Sequence, residues 1–138
     1  MTDRSLETVT ILGATGSIGR QTLDVLARNP ERYRVLGLTA GHRWRELAEH
    51  CLTWRPAFAA LADEQAAEAL RNHLREAGSH TQVLAGHAGV AEVAALQEAD
   101  TVVAAIVGAA GVRPTLAAVE AGKKILLANK ETLVVTGA

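Results

Sequence analysis

The 138-residue sequence predicts an α/β fold, in which helices cover both faces of a mainly parallel sheet. Short apolar, β-branched runs alternate along the chain with segments that have helical periodicity. Parallel neighbours require crossover connections, and these are right-handed, so the helices should fall on both faces. The run at residues 101–107 is almost wholly apolar, as expected of a strand that is covered on both sides.

The first half of the chain contains three strand–helix pairs. Asn29-Pro30 should end the first helix, because proline cannot continue it. Asp63 is a good N-cap for the third helix, and Gly78 is a typical residue at a helix end. The predicted strands are Val9–Leu12, Val35–Leu38 and Ala57–Leu61, and the predicted helices are Ile18–Leu26, Arg43–Cys51 and Asp63–Ala77.

The second half repeats this alternation. Pro114 should begin the last helix and Gly122 should end it, because proline is favoured at a helix start and glycine just past its end. The predicted strands are Gln82–Leu84, Thr101–Val107 and Lys124–Leu127, and the predicted helices are Val90–Leu96 and Pro114–Val119. We expect residues 1–138 to form one domain.

Composition and charge exclude several classes of protein. Lys and Arg number 14 and Asp and Glu number 15, which argues against a nucleic-acid-binding arm or a polybasic membrane surface. The single cysteine excludes an internal disulfide and a cysteine-rich zinc site. The charged start is unlike a signal peptide, and no apolar run is long enough to span a bilayer. We therefore expect a soluble, cytoplasmic protein without a nucleic-acid or membrane partner.

The strongest local signal is the glycine-rich stretch Gly13-Ala14-Thr15-Gly16-Ser17-Ile18-Gly19, between the first strand and the first helix. Gly13 permits a tight turn, Gly16 leaves room for a pyrophosphate, and Gly19 allows close packing of the helix. Thr15 and Ser17 add hydroxyl donors, and the helix N-terminus adds N–H groups. The pattern indicates a dinucleotide site in a doubly wound, Rossmann-like sheet; the alternative is a plain glycine turn.

The end of the second strand bears on the choice between NAD and NADP. An acidic residue there would accept from a ribose 2′-hydroxyl, but no acid occurs before Glu46. Arg43 is able to pair with a 2′-phosphate instead, and His42 is able to donate to it. This favours NADP, and the alternative is that Arg43 is a solvated residue in the first turn of a helix.

Two further segments follow predicted strands at the edge where open α/β sheets bind ligands. Gly108-Ala109-Ala110-Gly111 has small residues that would let a cofactor ring approach the backbone, although close helix–sheet packing explains it equally well. Asn129-Lys130-Glu131 offers an amide, a cation and a carboxylate, and the alternative is a solvated helix start.

The remaining candidates are weak. The histidines lack the spacing of a metal site, so we expect no metal ligand among them. Cys51 has no evident activating partner and is expected to be a packed core thiol. Trp44 and Trp54 are expected to be packing residues.

Taken together, these segments resemble the N-terminal domain of the 1-deoxy-D-xylulose 5-phosphate reductoisomerase family. The matching stretches are residues 10–19, 22–25, 104–111, 114–118, 121–123 and 125–131. The first of these stretches is shared with other dehydrogenases, whereas the last two together are specific to this family.

The resemblance implies a homodimeric enzyme of the methylerythritol phosphate route to isoprenoids. The enzyme would rearrange 1-deoxy-D-xylulose 5-phosphate and reduce the aldehyde intermediate with NADPH to 2-C-methyl-D-erythritol 4-phosphate, with Mg, Mn or Co as its divalent metal. The residues that match cofactor contacts are Thr15, Gly16, Ser17 and Ile18 for the pyrophosphate, Gly41, His42 and Arg43 for the 2′-phosphate, and Asn129 and Glu131. Lys130 matches a substrate contact and is the expected catalytic residue.

The sequence departs from the family in two respects. Arg43 stands where the family commonly has Asn. The family's chains are considerably longer, and their metal-binding acids and substrate-phosphate site lie beyond the position of Ala138. We therefore expect this chain to bind NADPH without turnover on its own. The alternatives are another NADP-dependent dehydrogenase domain or a non-catalytic nucleotide-sensing module.

Overall fold

The structure, a computed structural model, describes residues 6–105, 124–128 and 133–136. Strands and helices alternate through residues 7–104, as the sequence predicts. The strands are β1 Glu7–Leu12, β2 Tyr33–Ala40, β3 Phe58–Leu61, β4 Gln82–Ala85, β5 Thr101–Ala104, β6 Lys124–Ala128 and β7 Leu133–Thr136. The helices in the described residues are α1 Ser17–Ala27, α2 Trp44–Trp54, α3 Glu64–Glu76 and α4 Gly86–Ala94.

The strands form one sheet in the order β4-β3-β2-β1-β5-β6-β7. All neighbours pair in parallel except β6 and β7, which are antiparallel. The expectation of a mainly parallel sheet is therefore confirmed. The chain adds β2, β3 and β4 on one side of β1 and then returns to place β5 on the other side. This reversal is the topological switch point of a doubly wound sheet.

Helices cover both faces of the sheet, as predicted. Alternate strand residues such as Ile11 and Leu61 share one buried cluster with Leu23, Leu47 and Leu70, which lie on α1, α2 and α3. The strand residues whose side chains point to the other face of the sheet pack against α4. Because side chains alternate between the faces of a strand, the apolar residues of β1 are buried on both sides.

A β-bulge in β2 changes which residues face each helix layer. Val9 pairs with Val35, but Thr10 pairs with Gly37, so Leu36 is an extra residue. Before the bulge Val35 faces the α1–α3 layer, and after it Leu38 does. Gly37 then faces α4, where an added Cβ would lie 2.7 Å from a methyl of Val93.

The ends of α3 agree with the sequence prediction. Asp63 caps the helix, with its carboxylate accepting from Gln65 N and Ala66 N. At the other end Gly78 has φ +77°, and its N–H donates to Arg75 O. Ser79 N–H donates to Leu74 O, which completes a Schellman motif.

Three details differ from the prediction. The helix predicted from Val90 begins at Gly86, because φ +80° there turns the chain directly out of β4. The strand predicted through Val107 ends at Ala104, and Ala105 lies outside it. Strand β7 was not predicted, because its place in the sheet depends on antiparallel pairing with β6. The helix predicted at Pro114–Val119 and the segment Gly108–Gly111 lie outside the described residues.

None of the helices in the described segments has the length and apolar character needed to span a bilayer.

Candidate functional site

The candidate site lies at the carboxyl ends of β1 and β5, where the strand order reverses. The two strands are hydrogen-bonded neighbours, with Leu12 paired to Ala104. Ala105 N–H donates to Leu12 O over 2.9 Å, so the two segments remain hydrogen-bonded just past the end of β5. In open α/β sheets the crevice beyond such a switch point is where ligands bind.

The turn after β1 is held by the end of β2. Gly13 has φ +84°, a conformation that favours glycine, and its N–H donates to both the carbonyl and the hydroxyl oxygen of Thr39. Ala14 N–H donates to the same Thr39 carbonyl over 2.8 Å. These bonds fix the direction in which the chain enters α1.

Gly19 allows α1 to pack directly on this turn. An added Cβ at Gly19 would lie 2.1 Å from Gly13 O and 2.8 Å from the Cα of Ala14. Both neighbours are backbone atoms that cannot move aside without distorting the turn. The sequence assigned Gly19 to close packing of the helix, and the geometry agrees.

Gly16 has the opposite surroundings. It is exposed, and an added Cβ would meet only Gly13 O, at 3.8 Å. Gly16 is also the N-cap of α1, and no side chain caps the helix there. The N–H groups of a first helical turn have no acceptor within the helix, and together with the helix dipole they favour an anion.

The structure places the other residues of the predicted pyrophosphate loop around this N-terminus. Thr15 is buried, Ser17 is exposed in the first turn of α1, and Ile18 is half-buried. The loop therefore combines open space at Gly16 with backbone donors, which fits the diphosphate bridge of a dinucleotide.

The segment predicted to meet a 2′-phosphate follows β2, the strand next to β1. Gly41, His42 and Arg43 are all exposed. Asp63 N–H donates to Gly41 O over 2.9 Å, which ties the segment to the start of α3. Arg43 is the N-cap of α2 rather than a residue of its first turn, so its side chain extends from the edge of the helix.

Two residues that the sequence analysis did not assign to the site contribute to it. Glu46 forms an ion pair with Arg43, with 3.6 Å between Oε1 and Nη1. The i,i+3 spacing of these two residues on a predicted helix was a usable signal. Thr39 supports the glycine turn through hydrogen bonds, and no local pattern marks it for that role.

Asn129, Lys130 and Glu131, which the sequence predicts to be site residues, lie outside the described residues.

The weak candidates do not form a second site in the described residues. Burial raises the pKa of the Cys51 thiol to about 12, so it is a packed thiol as expected. Burial also lowers the pKa of His50. Trp44 packs partly buried against the α1–α3 layer, and its ring lies 5.6 Å from that of His73. Within residues 6–105, 124–128 and 133–136, no three His, Cys, Asp or Glu side chains form a group that fits a metal ion.

Comparison with known sequences decides the family. A sequence model described as 1-deoxy-D-xylulose 5-phosphate reductoisomerase matches residues 9–137. The chain belongs to the 1-deoxy-D-xylulose 5-phosphate reductoisomerase family. It is 59% identical over 133 residues to the reductoisomerase of Pseudomonas fluorescens strain SBW25, covering 96% of this chain and 34% of that protein. It is 60% identical over 132 residues to that of Methylobacillus flagellatus, covering 96% and 33%. The chain thus spans about a third of the length of these relatives.

Solved reductoisomerase structures share the fold. One, in complex with NADPH, fosmidomycin and magnesium, superimposes with a TM-score of 0.85 at 44% identity, over 91% of this chain and 30% of that one. The reductoisomerase from Zymomonas mobilis in complex with NADPH gives a TM-score of 0.83 at 44% identity, over 91% and 32%. The Rossmann-like class predicted from the sequence is therefore confirmed.

Proposed function

We propose that this chain is the NADPH-binding part of a 1-deoxy-D-xylulose 5-phosphate reductoisomerase. The observation that carries the proposal is the glycine turn at the switch point, open at Gly16 and closely packed at Gly19. Family membership supports it, as do the solved relatives described as NADPH complexes. The arrangement offers backbone donors and space for a diphosphate, with exposed basic side chains one strand away.

The pyrophosphate binds at the start of α1. The amides around Gly16, Ser17 and Ile18 donate to its oxygens, while the N-terminal end of the helix dipole stabilises its charge. Thr15 belongs to the same loop by the family motif, and it is buried.

The adenosine 2′-phosphate binds at the end of β2. Arg43 supplies a guanidinium that suits the oxygens of a phosphate, and His42 and Gly41 lie beside it on the exposed edge. Contacts from Asn129 and Glu131 to the cofactor, and from Lys130 to the substrate as the catalytic contact, are proposed from the family motif alone.

The whole protein converts 1-deoxy-D-xylulose 5-phosphate to 2-C-methyl-D-erythritol 4-phosphate as a cytoplasmic homodimer that requires a divalent metal. NADPH supplies the hydride for the reduction. The described residues of this chain do not fit a metal ion. We propose that the metal ligands and the substrate-phosphate site belong to other parts of the protein, so the 138-residue chain alone has no turnover.

The test compares NADPH and NADH binding by the wild-type chain and by Arg43→Glu. We expect the variant to bind NADPH about tenfold more weakly or worse, and its affinity for NADH to fall much less. The reason is that a charge-assisted contact to the 2′-phosphate is lost and a repulsion replaces it. Arg28→Glu makes the same charge change at the far end of α1 and should not discriminate between the cofactors. Equal losses for both cofactors with Arg43→Glu would contradict the 2′-phosphate assignment.

A second measurement tests the absence of turnover. The purified chain is mixed with NADPH, 1-deoxy-D-xylulose 5-phosphate and magnesium, and the NADPH absorbance is followed. We expect no metal-dependent oxidation of NADPH, and its detection would refute that part of the proposal.

A further inference from the structure

The residue beside the proposed 2′-phosphate contact is acidic. Arg43 Nη1 lies 3.6 Å from Glu46 Oε1, and the two side chains are 56% and 40% exposed. Arg43 is the N-cap of α2, and Glu46 is the acidic residue of its first turn. The guanidinium that would receive a 2′-phosphate is therefore already paired with a carboxylate.

Asp63 also lies near this edge, but its carboxylate is held elsewhere. Asp63 is tied to Gly41 through its backbone N–H, but its Oδ1 accepts from Gln65 N and Ala66 N at the start of α3. Among the described residues, Glu46 is the acid that forms an ion pair with Arg43.

The consequence differs between the two cofactors. A phosphate monoester on the ribose carries a charge of about −1.5 to −2, so at Arg43 it competes with Glu46 for the guanidinium and is repelled by its carboxylate. A ribose 2′-hydroxyl carries no charge and meets neither cost.

We propose that Glu46 is a specificity-determining residue, which weakens NADPH binding and so reduces the preference of this site for NADPH over NADH. This inference rests on the proposed function. Glu46 acts by occupying Arg43 and by its own charge, and the phosphate displaces it on binding.

The test is Glu46→Gln in the 138-residue chain, with NADPH and NADH titrated separately. Glutamine keeps the side-chain shape and removes the charge. We expect NADPH to bind about fivefold more tightly, the effect of relieving one partly screened repulsion, while NADH changes by less than about twofold. Raising the salt concentration should shrink the NADPH effect, because the charges involved are exposed.

The matched control is Glu49→Gln, which removes one negative charge from an exposed position on the same helix. It should leave the ratio of NADPH to NADH affinity close to that of the wild type. Circular dichroism establishes that each variant keeps its helix content.

The outcomes separate the two proposals. Tighter binding of NADPH with an unchanged affinity for NADH supports the role of Glu46. Equal changes for both cofactors, no change in either, or the same effect from Glu49→Gln would overturn it while leaving NADPH binding intact. If the wild-type chain does not bind NADPH at all, the proposed function fails, and the inference fails with it.

Discussion

Helices α1 and α3 begin at the same edge of the sheet, but only α3 has a side chain that caps the N–H groups of its first turn. Asp63 caps α3 with its own carboxylate, which accepts from Gln65 N at 2.9 Å and Ala66 N at 3.1 Å. α1 begins after Gly16, and no side chain caps it. The first-turn donors of α3 are satisfied by a side chain of the protein, as in an ordinary structural helix, whereas those of α1 are left for a ligand.

Both starts are tied to the end of β2 by hydrogen bonds, but α1 has a further constraint. Asp63 N–H and Ala62 N–H donate to Gly41 O and Ala40 O before α3, and Gly13 N–H and Ala14 N–H donate to Thr39 O before α1. α1 is held in addition by close contact, because Gly19 lies directly against Gly13 O. Glycine residues at α1 therefore provide both the fit of the helix and the space for a ligand, and substitutions can separate the two roles.

The largest effect is expected from Gly19→Ala. The new Cβ would lie 2.1 Å from Gly13 O, so the helix or the turn must shift. We expect a loss of about 3 kcal/mol in the free energy of unfolding, measured by urea denaturation, together with a loss of NADPH binding. Gly41→Ala is the stability control, because a Cβ there meets nothing within 4 Å. A Gly19→Ala protein as stable as wild type would contradict the packing role.

Gly16→Ala should separate binding from stability. The Cβ meets only Gly13 O at 3.8 Å, so the fold tolerates it, and alanine is a poorer N-cap than glycine by about 0.5 kcal/mol. The same Cβ projects into the space assigned to the pyrophosphate, so NADPH should bind about tenfold more weakly. Isothermal titration measures the affinity. Unchanged NADPH affinity would show that the diphosphate does not lie against Gly16.

Asp63→Ala should show the reverse pattern. Loss of the cap leaves two backbone donors of α3 without their acceptor, and we expect the free energy of unfolding to fall by about 1 kcal/mol. Asparagine is also a good N-cap, so Asp63→Asn should retain most of the stability. NADPH affinity should be unchanged in both variants, and a clear loss of affinity in either would mean that the start of α3 belongs to the cofactor site.

The smallest effect concerns pH, in the groove between α1 and α2 where His50 lies. Burial lowers the pKa of His50 below its ordinary value of 6.5, although Glu49 and Glu46 oppose the shift. The folded state therefore takes up this proton less readily than the unfolded state. The stabilising contribution is complete above pH 6.5 and is lost as the pH falls through the lowered pKa.

His50→Gln should make the stability of the chain less sensitive to acid. Urea denaturation is measured for both proteins at pH values on either side of 6.5. Wild type should lose more stability than the variant on acidification. Parallel losses would mean that His50 is not the group responsible.

Local sequence patterns were sufficient for much of the site. The spacing of Gly13, Gly16 and Gly19 between a strand and a helix predicted the turn. The positive φ of Gly13 and the close packing of Gly19 confirm their structural roles, and the pyrophosphate role of Gly16 stays a prediction. The cap at Asp63 was predictable because it involves residues within three positions of each other. The sequence also predicted that Arg43 lies at the start of α2. Its ion pair with Glu46 was not predicted, because i,i+3 spacing allows such a pair but the side-chain conformations decide whether it forms.

What the residue pattern determined is the alternation of strands and helices, because each depends on periodicity and capping over a few neighbouring positions. The tertiary structure alone decided that β5 returns to the free side of β1, that Leu36 forms a bulge, and that β7 pairs antiparallel to β6. It also brought Thr39 beneath the glycine turn, 26 positions further along the chain. Such pairings are chosen by the burial and hydrogen bonding of distant segments together, and no short stretch of sequence contains both partners.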